Sequence, residues 1–275
     1  MTLAITLTCA AAAAIGWFST RYAWWRPALP WSRPRVLMYH MISEHRPKAR
    51  FNKLRVPPAR FEAQLRSLSR QGAHFVFASD LVRDRPLPDR PVCLTFDDGY
   101  ADNLLAADPV LARYNARATL FLVGDLADTR GWSSKKKAHH SDDELAQEPK
   151  LSDGQVRALL ATGRWELGGH TTTHAHLPSI SDDAARREIG ESRASFRDRF
   201  GADAPTFAYP FGIFEQRHAD MVRDAGFLGA FTTEPAIGAH PYEDPYSIPR
   251  IKVSGKDGLF AFILRLRGGK RGLNS

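Results

Sequence analysis

Between residues 36 and 253, short apolar runs alternate with amphipathic stretches, and no other feature restricts the possible folds as much. The apolar runs 36–39, 74–78, 92–96, 118–123, 165–168, 206–209, 229–232 and 248–253 have the length of buried strands. The intervening stretches 58–70, 101–114, 152–161, 182–200 and 215–225 read as helices. In the first of these, Phe61, Leu65 and Leu68 fall at i, i+4 and i+7, on one face of a 3.6-residue period. Ser152 and Ser181 are suited to cap helix starts, and Gly201 and Gly226 to end helices. A strand–helix order sustained over about 220 residues predicts an α/β fold with a parallel sheet, either barrel-like or doubly wound. The stretch 127–150 is polar and long for a connection, which is the character of a lid or a disordered loop.

Two cysteines, Cys9 and Cys93, exclude a disulfide scaffold and a cysteine-based zinc finger. A metal in this chain would need His and carboxylate ligands. The net charge of +8 is concentrated at the ends. Residues 21–50 hold seven Lys/Arg against Glu44, residues 250–275 hold seven against Asp257, and the stretch between is net acidic. Nucleic acid is not an expected partner, because a basic stripe would then run over the folded body. Basic ends beside an uncharged N-terminus suit an anionic membrane surface. Residues 2–20 carry no charge and are followed by Tyr22, Trp24 and Trp25, which predicts a short membrane anchor or an uncleaved signal. Arg21, Arg26, Arg33 and Arg35 all follow that segment, which by the positive-inside bias predicts a cytoplasmic catalytic domain, with the periplasmic side as the alternative.

The chemistry is concentrated in two places. In Thr95-Phe96-Asp97-Asp98-Gly99-Tyr100 an apolar strand ends on two adjacent carboxylates. Two like charges at a buried strand end are costly unless a cation or a proton is shared between them, although an Asp-Asp-Gly turn also occurs for structural reasons. In His170-Thr171-Thr172-Thr173-His174, two imidazoles four residues apart can reach one ion from a helix face or a tight loop. Taken singly, such a pair is often accidental. Placed after a second strand and matched with Asp97-Asp98, the two histidines predict a two-His, one-carboxylate site with open positions, the pattern of a catalytic metal. His176 is assigned to the surface or to the surroundings of that site.

TFDDGY and HTTTH resemble the first two motifs of the carbohydrate esterase family 4 polysaccharide deacetylases, and Phe207-Ala208-Tyr209-Pro210-Phe211-Gly212 is similar to the third. The resemblance implies a distorted (β/α) barrel over residues 35–254. It would be preceded by the anchor at 1–20 and a basic aromatic linker at 21–34, and followed by a basic amphipathic tail at 255–275. It also implies a divalent metal, zinc above all, on Asp98, His170 and His174, with Asp97 as general base and the Phe211 backbone N–H in the oxyanion site. Ala208 stands where the family has an arginine that orients the base, and Arg250 is the candidate to replace it. The family's late Leu-x-x-His motif is found instead at Leu37–His40, an order resembling the circularly permuted subgroup, which makes His40 the candidate acid. No match to the family's Asp-x-x-Asp-Trp motif is found.

The resulting expectation is a metal-dependent N-deacetylase acting on an N-acetylhexosamine unit of a glycan or lipid-linked amino sugar, with a lipopolysaccharide-type precursor favoured by the cytoplasmic orientation. An exported polymer such as poly-N-acetylglucosamine is the rival substrate. An inactive glycan-binding member and a small-amide hydrolase are the alternatives of other kinds.

Overall fold

A computed structural model describes residues 2–124, 144–270 and 272. Most of the stretch 127–150, the expected lid, therefore lies outside the described residues, as does the end of the tail. In chain order the main elements are α1 (Thr2–Tyr22), β1 (Arg35–Tyr39), α2 (Pro58–Arg70), β2 (His74–Val76), β3 (Pro91–Asp98), α3 (Asp108–Arg113), β4 (Ala118–Leu122), α4 (Asp153–Ala161), β5 (Trp165–Gly169), α5 (Asp182–Phe200), β6 (Thr206–Ala208), α6 (Gln216–Asp224), β7 (Gly229–Phe231), β8 (Ile251–Lys252) and α7 (Leu259–Gly268).

All strand pairings are parallel, in the order β7-β6-β5-β4-β3-β1-β8, with β2 added beside β3. The longest strand, β3, serves two neighbours on one side: its start pairs with β2 and its end with β4. The sheet curls until its edges approach each other. Phe231 bridges Ile248, whose N–H donates to the Ala230 carbonyl at 2.9 Å, and the chain continues from there into β8. The expected final strand 248–253 thus has two uses, closing the sheet at Ile248 and pairing with β1 at Ile251. The result is a curled parallel-sheet half-barrel, in line with the distorted barrel that the family resemblance implies.

Four of the five expected helices form as read, α2, α4, α5 and α6. Phe61, Leu65 and Leu68 of α2 are fully buried, and Gln64 on the same face accepts the Tyr39 hydroxyl at 3.0 Å. Ser152 caps α4 in a reciprocal capping box with Gln155, and Ser181 accepts from the Ala184 N–H at the start of α5. Gly201 ends α5 at φ 60°, a conformation that costs glycine nothing. The segment expected as one helix over 101–114 is a π-helical turn at Asn103–Ala107 running into α3. That irregularity turns Asn103 toward the sheet end, where its Nδ2 donates to the His40 carbonyl at 2.9 Å.

Among the described residues, no helix is long and apolar enough to cross a membrane. The C-terminal segment packs on the sheet assembly: α7 buries Ala261, Phe262, Leu264 and Leu266, and buried Arg265 donates to Asp257 at 2.8 Å. Its apolar residues face the barrel because they complete the core beside α2 and β1. Phe260, exposed on its far side, stacks on Phe18 of α1 at 5.9 Å between centroids. Fully buried Arg35 ties these pieces together, donating to the carbonyls of Leu29, Pro30, Arg33 and Leu266 at 2.6–3.0 Å. Replacing Arg35 with Met removes this donor from the buried Leu266 carbonyl and from three part-buried ones. The expected loss is about 3 kcal/mol or more, read as a lower midpoint in chemical denaturation.

Candidate active site

The parallel register places the C-terminal ends of β1, β3, β4, β5 and β6 at one end of the curled sheet, where the side chains of such folds converge on substrate. Asp97 and Asp98 end β3, His40 follows β1, and His170 follows β5. All four line one open cleft of about 670 Å³ together with His174 and Phe211.

Asp98, His170 and His174 are buried and present one ligand atom each within 4.8 Å of one another. Asp98 Oδ1 lies 3.3 Å from His170 Nε2 and 3.4 Å from His174 Nε2. Ligand atoms sharing one ion at about 2.0–2.1 Å are separated by roughly 2.9–3.4 Å, so the spacing fits. The donor chemistry fits as well. Oδ1 of Asp98 is buried without a hydrogen bond of good geometry. His170 Nδ1–H donates to the Ala208 carbonyl at 2.7 Å, which leaves Nε2 as its inward-facing lone pair. Burial pulls the His174 imidazole down to about 4, the neutral form a metal requires. Burial also acts on Asp98, but the neighbouring imidazoles of His170, His174 and His40 outweigh it, and the carboxyl stays ionised well below the usual range.

Asp97 is not part of this triad. Its two oxygens accept from Arg250 Nη1 and Nη2 at 2.6 and 2.8 Å, in a two-pronged pair. Arg250 is fully buried, and it also donates to the Thr232 carbonyl at 2.8 Å and to Thr95 Oγ1 at 3.1 Å. Burial would raise the Asp97 pKa, but Arg250 and then His170 overcome it and lower it. Arg250, the candidate to replace the arginine that the family has at position 208, thus lies against Asp97. Ala208 lies buried beside Phe121, whose ring is 5.5 Å from the Arg250 guanidinium.

His40 Nε2 lies 4.0 Å from Asp98 Oδ2 on the partly open side of the cleft. Phe211 sits at φ 61° with its ring edge-on to His174, 4.6 Å between centroids. Gly212, at φ 69°, has no room for a Cβ, which would collide with Thr233. His176 is outside the cluster, bonded to Ser179 Oγ at 2.6 Å. Asp98, Thr171, His174 and Phe211 all occupy the left-handed region, where each non-glycine residue costs on the order of 1–3 kcal/mol. That strain is concentrated where the cleft needs side chains aimed at one point. Sequence reasoning missed the Ala208 carbonyl and Asn103. A backbone acceptor leaves no trace in residue identity, and Asn103 becomes relevant only through the π turn.

A curled parallel sheet thus carries at its C-terminal end a two-His, one-Asp triad that could hold a metal ion and, beside it, a separate carboxylate held by an arginine. The chain belongs to the polysaccharide deacetylase family, whose model matches residues 84–230. Members are metal-dependent hydrolases of amide bonds. The chain is 28% identical over 236 residues to the Bacillus subtilis protein YxkH, spanning 84% of this chain and 75% of that one. It is 24% identical over 221 residues to a poly-β-1,6-N-acetyl-D-glucosamine N-deacetylase of Staphylococcus aureus, spanning 76% and 71%. In structure it superposes on a polysaccharide deacetylase of Bacillus cereus with a TM-score of 0.71 at 24% identity, covering 85% of this chain and 69% of that one.

Proposed function

We propose that this protein removes the acetyl group from an N-acetylhexosamine unit of a membrane-proximal glycan, with a lipid-linked precursor as the favoured substrate. The observation that carries the hydrolytic part is the division of labour between adjacent carboxylates, with Asp98 among the imidazoles and Asp97 held apart by Arg250. Asp98, His170 and His174 would hold the divalent metal, with zinc the best match to two imidazoles and one carboxylate. When bound, that ion supplies the Lewis acidity that activates water and polarises the acyl oxygen.

The rest is the work of the chain's own residues. Asp97, ionised and oriented by Arg250, takes the proton of the attacking water. The Phe211 backbone, at the cleft wall, offers an N–H to the developing oxyanion. His40, in the same cleft and steadied through its carbonyl by Asn103, gives a proton to the departing amine.

Support for a membrane location comes from α1, which exposes Ile5, Leu7, Ile15 and Trp17, and from Trp24 and Trp25 just after it. Together with the arginines that follow, they favour attachment at the cytoplasmic face of the inner membrane. An exported poly-N-acetylglucosamine is the second reading, favoured by the Staphylococcus aureus relative. Zinc-loaded protein is expected to release acetate from N-acetylglucosamine oligomers and to stop on chelation. Undiminished turnover in metal-free protein would overturn the assignment. A periplasmic signal from a reporter fused after residue 275 would transfer the preference to the exported polymer.

Arg250 acts on Asp97 without touching substrate, and its effect has a signature of its own. In Arg250→Met, burial acts on Asp97 unopposed by the guanidinium, so the carboxyl holds its proton to higher pH. The acid limb of the kcat/KM profile is therefore expected to move upward, with KM changing less than kcat. A purely structural arginine would lower activity equally at every pH.

A further inference from the structure

His40 differs from the other imidazoles of the cleft in how it is held. The His170 ring is fixed by the Ala208 carbonyl, and His174 Nε2 lies 3.4 Å from Asp98 Oδ1. Among the described residues, neither ring nitrogen of His40 has a hydrogen bond, and Asp98 Oδ2 stands 4.0 Å from its Nε2. The aim of the ring is therefore set through the backbone, by the turn that follows β1. Tyr39, the last residue of that strand, pairs with Phe96 of β3. Beyond it, the His40 carbonyl accepts from Asn103 Nδ2 at 2.9 Å. The Met41 N–H donates to the Leu54 carbonyl at 3.1 Å, and the Met41 carbonyl accepts from the Val56 N–H at 2.9 Å.

Asp102 completes that turn. It stands at the start of the π turn Asn103–Ala107, where an aspartate ordinarily accepts from the first N–H groups of its own helix. Here it makes no such bond. Its carboxyl lies instead against the Ile42 N–H and the Ser43 hydroxyl, and it accepts from Asn103 Nδ2 at 3.0 Å. The same nitrogen serves the His40 carbonyl, so one fully buried amide joins Asp102 to His40. Burial, with Glu148 adding to it, pushes the Asp102 carboxyl up to about 7 against the pull of Ile42, Ser43 and Asn103. Holding a carboxyl in such surroundings is costly, and these contacts lead to the segment that carries His40.

We propose that Asp102 is a positioning residue for the acid step: through the Asn103 amide and the Ile42–Ser43 backbone it holds the turn that aims His40 at the departing nitrogen. The inference rests on the deacetylase reading above, with His40 as its acid. In that step the C–N bond breaks, its electron pair passes to nitrogen, and the proton from the His40 imidazole completes the amine as acetate forms. An amine does not leave as an anion. A small error in the aim of His40 therefore falls on kcat rather than on binding.

The test is a double-mutant cycle on zinc-loaded, full-length enzyme, read as amine release from N-acetylglucosamine oligomers. Asp102→Ala and Asn103→Leu are each expected to lower kcat by about 10–10²-fold, the cost of a slightly displaced acid, with KM and metal content little changed. In a His40→Ala background the same substitutions are expected to cost less than about twofold, because no acid is left to aim. Asp102→Asn keeps an oxygen for the Asn103 amide and is expected to recover part of the loss. On an aryl acetate, whose phenolate departs without a proton, each single variant is expected to lose less than on the amide. Losses that multiply with that of His40→Ala, or that are equal on amide and ester, make Asp102 a residue of general folding. Either result overturns the proposal and leaves the deacetylase reading standing. Undiminished kcat in His40→Ala overturns the acid assignment and this inference together. No amine release by the unaltered enzyme overturns the deacetylase reading itself.

Discussion

Asp97→Asn is expected to lower kcat by about 10²–10⁴-fold, the usual value of a positioned general base, while metal content stays at the level of the unaltered protein. Asn keeps the shape of Asp97 and can still meet one arm of the Arg250 fork, so the cleft remains assembled. Asp98→Asn is expected to act differently, by weakening metal retention, because Oδ1 of Asp98 faces both imidazoles at 3.3 and 3.4 Å. The two measurements are metal per chain by elemental analysis and kcat at saturating substrate. If both variants bind metal and both turn over, the roles given to the adjacent carboxylates are wrong. For His40→Ala, a fall in kcat with KM little changed is expected of a leaving-group acid.

Zinc should stabilise the fold as well as activate it, and this can be read without any substrate. A ligand that binds only the folded chain, at a thousand times its Kd, adds about 4 kcal/mol. At roughly 2–4 °C per kcal/mol for a domain of this size, Tm should rise by about 10 °C on metal addition. His170→Ala and His174→Ala should abolish that rise, whereas Arg250→Met should keep it, because Arg250 bonds Asp97 and not the triad. The effect should also fade as pH falls. Burial alone would lower the His170 pKa, but Asp98 and Asp97 outweigh it and raise the value, so protons compete for this ligand from a higher pH than at an ordinary histidine. A metal-induced rise that survives in both histidine variants would place the ion elsewhere.

Much of the site is legible in the sequence because its ligands come from two short segments. Asp97 and Asp98 are neighbours at the end of one strand, and His170 and His174 share one tight loop. Each pair is set by local geometry, so spacing alone can suggest it. The same applies to the helices: the period of Phe61, Leu65 and Leu68 and the serine caps depend on contacts a few residues apart. Arg250 is legible only as a candidate. Nothing near residue 250 indicates a partner, and the two-pronged bond exists because Ile248 closes the sheet and brings that segment beside β3 and β1. The C-terminal segment is the less legible end. Leu259–Gly268 mixes apolar bulk with arginine, a composition that suits a membrane surface and a barrel wall alike. Burial of Phe262, Leu264 and Leu266 decides for the wall.

The sequence by itself determined the alternation of strand and helix, and with it a parallel sheet whose strand ends carry two carboxylates and two imidazoles. These properties depend on hydrophobic period and on neighbours along the chain. Only the tertiary structure decided which groups serve those four: the carbonyl of Ala208 for His170, the guanidinium of Arg250 for Asp97, and the placement of His40 4.0 Å from Asp98. It also decided that Arg50, Lys53 and Lys252 line the same cleft as the triad. Curling the sheet brings residues far apart in sequence within hydrogen-bonding reach, and hydrogen bonds and charges act over ångströms in space.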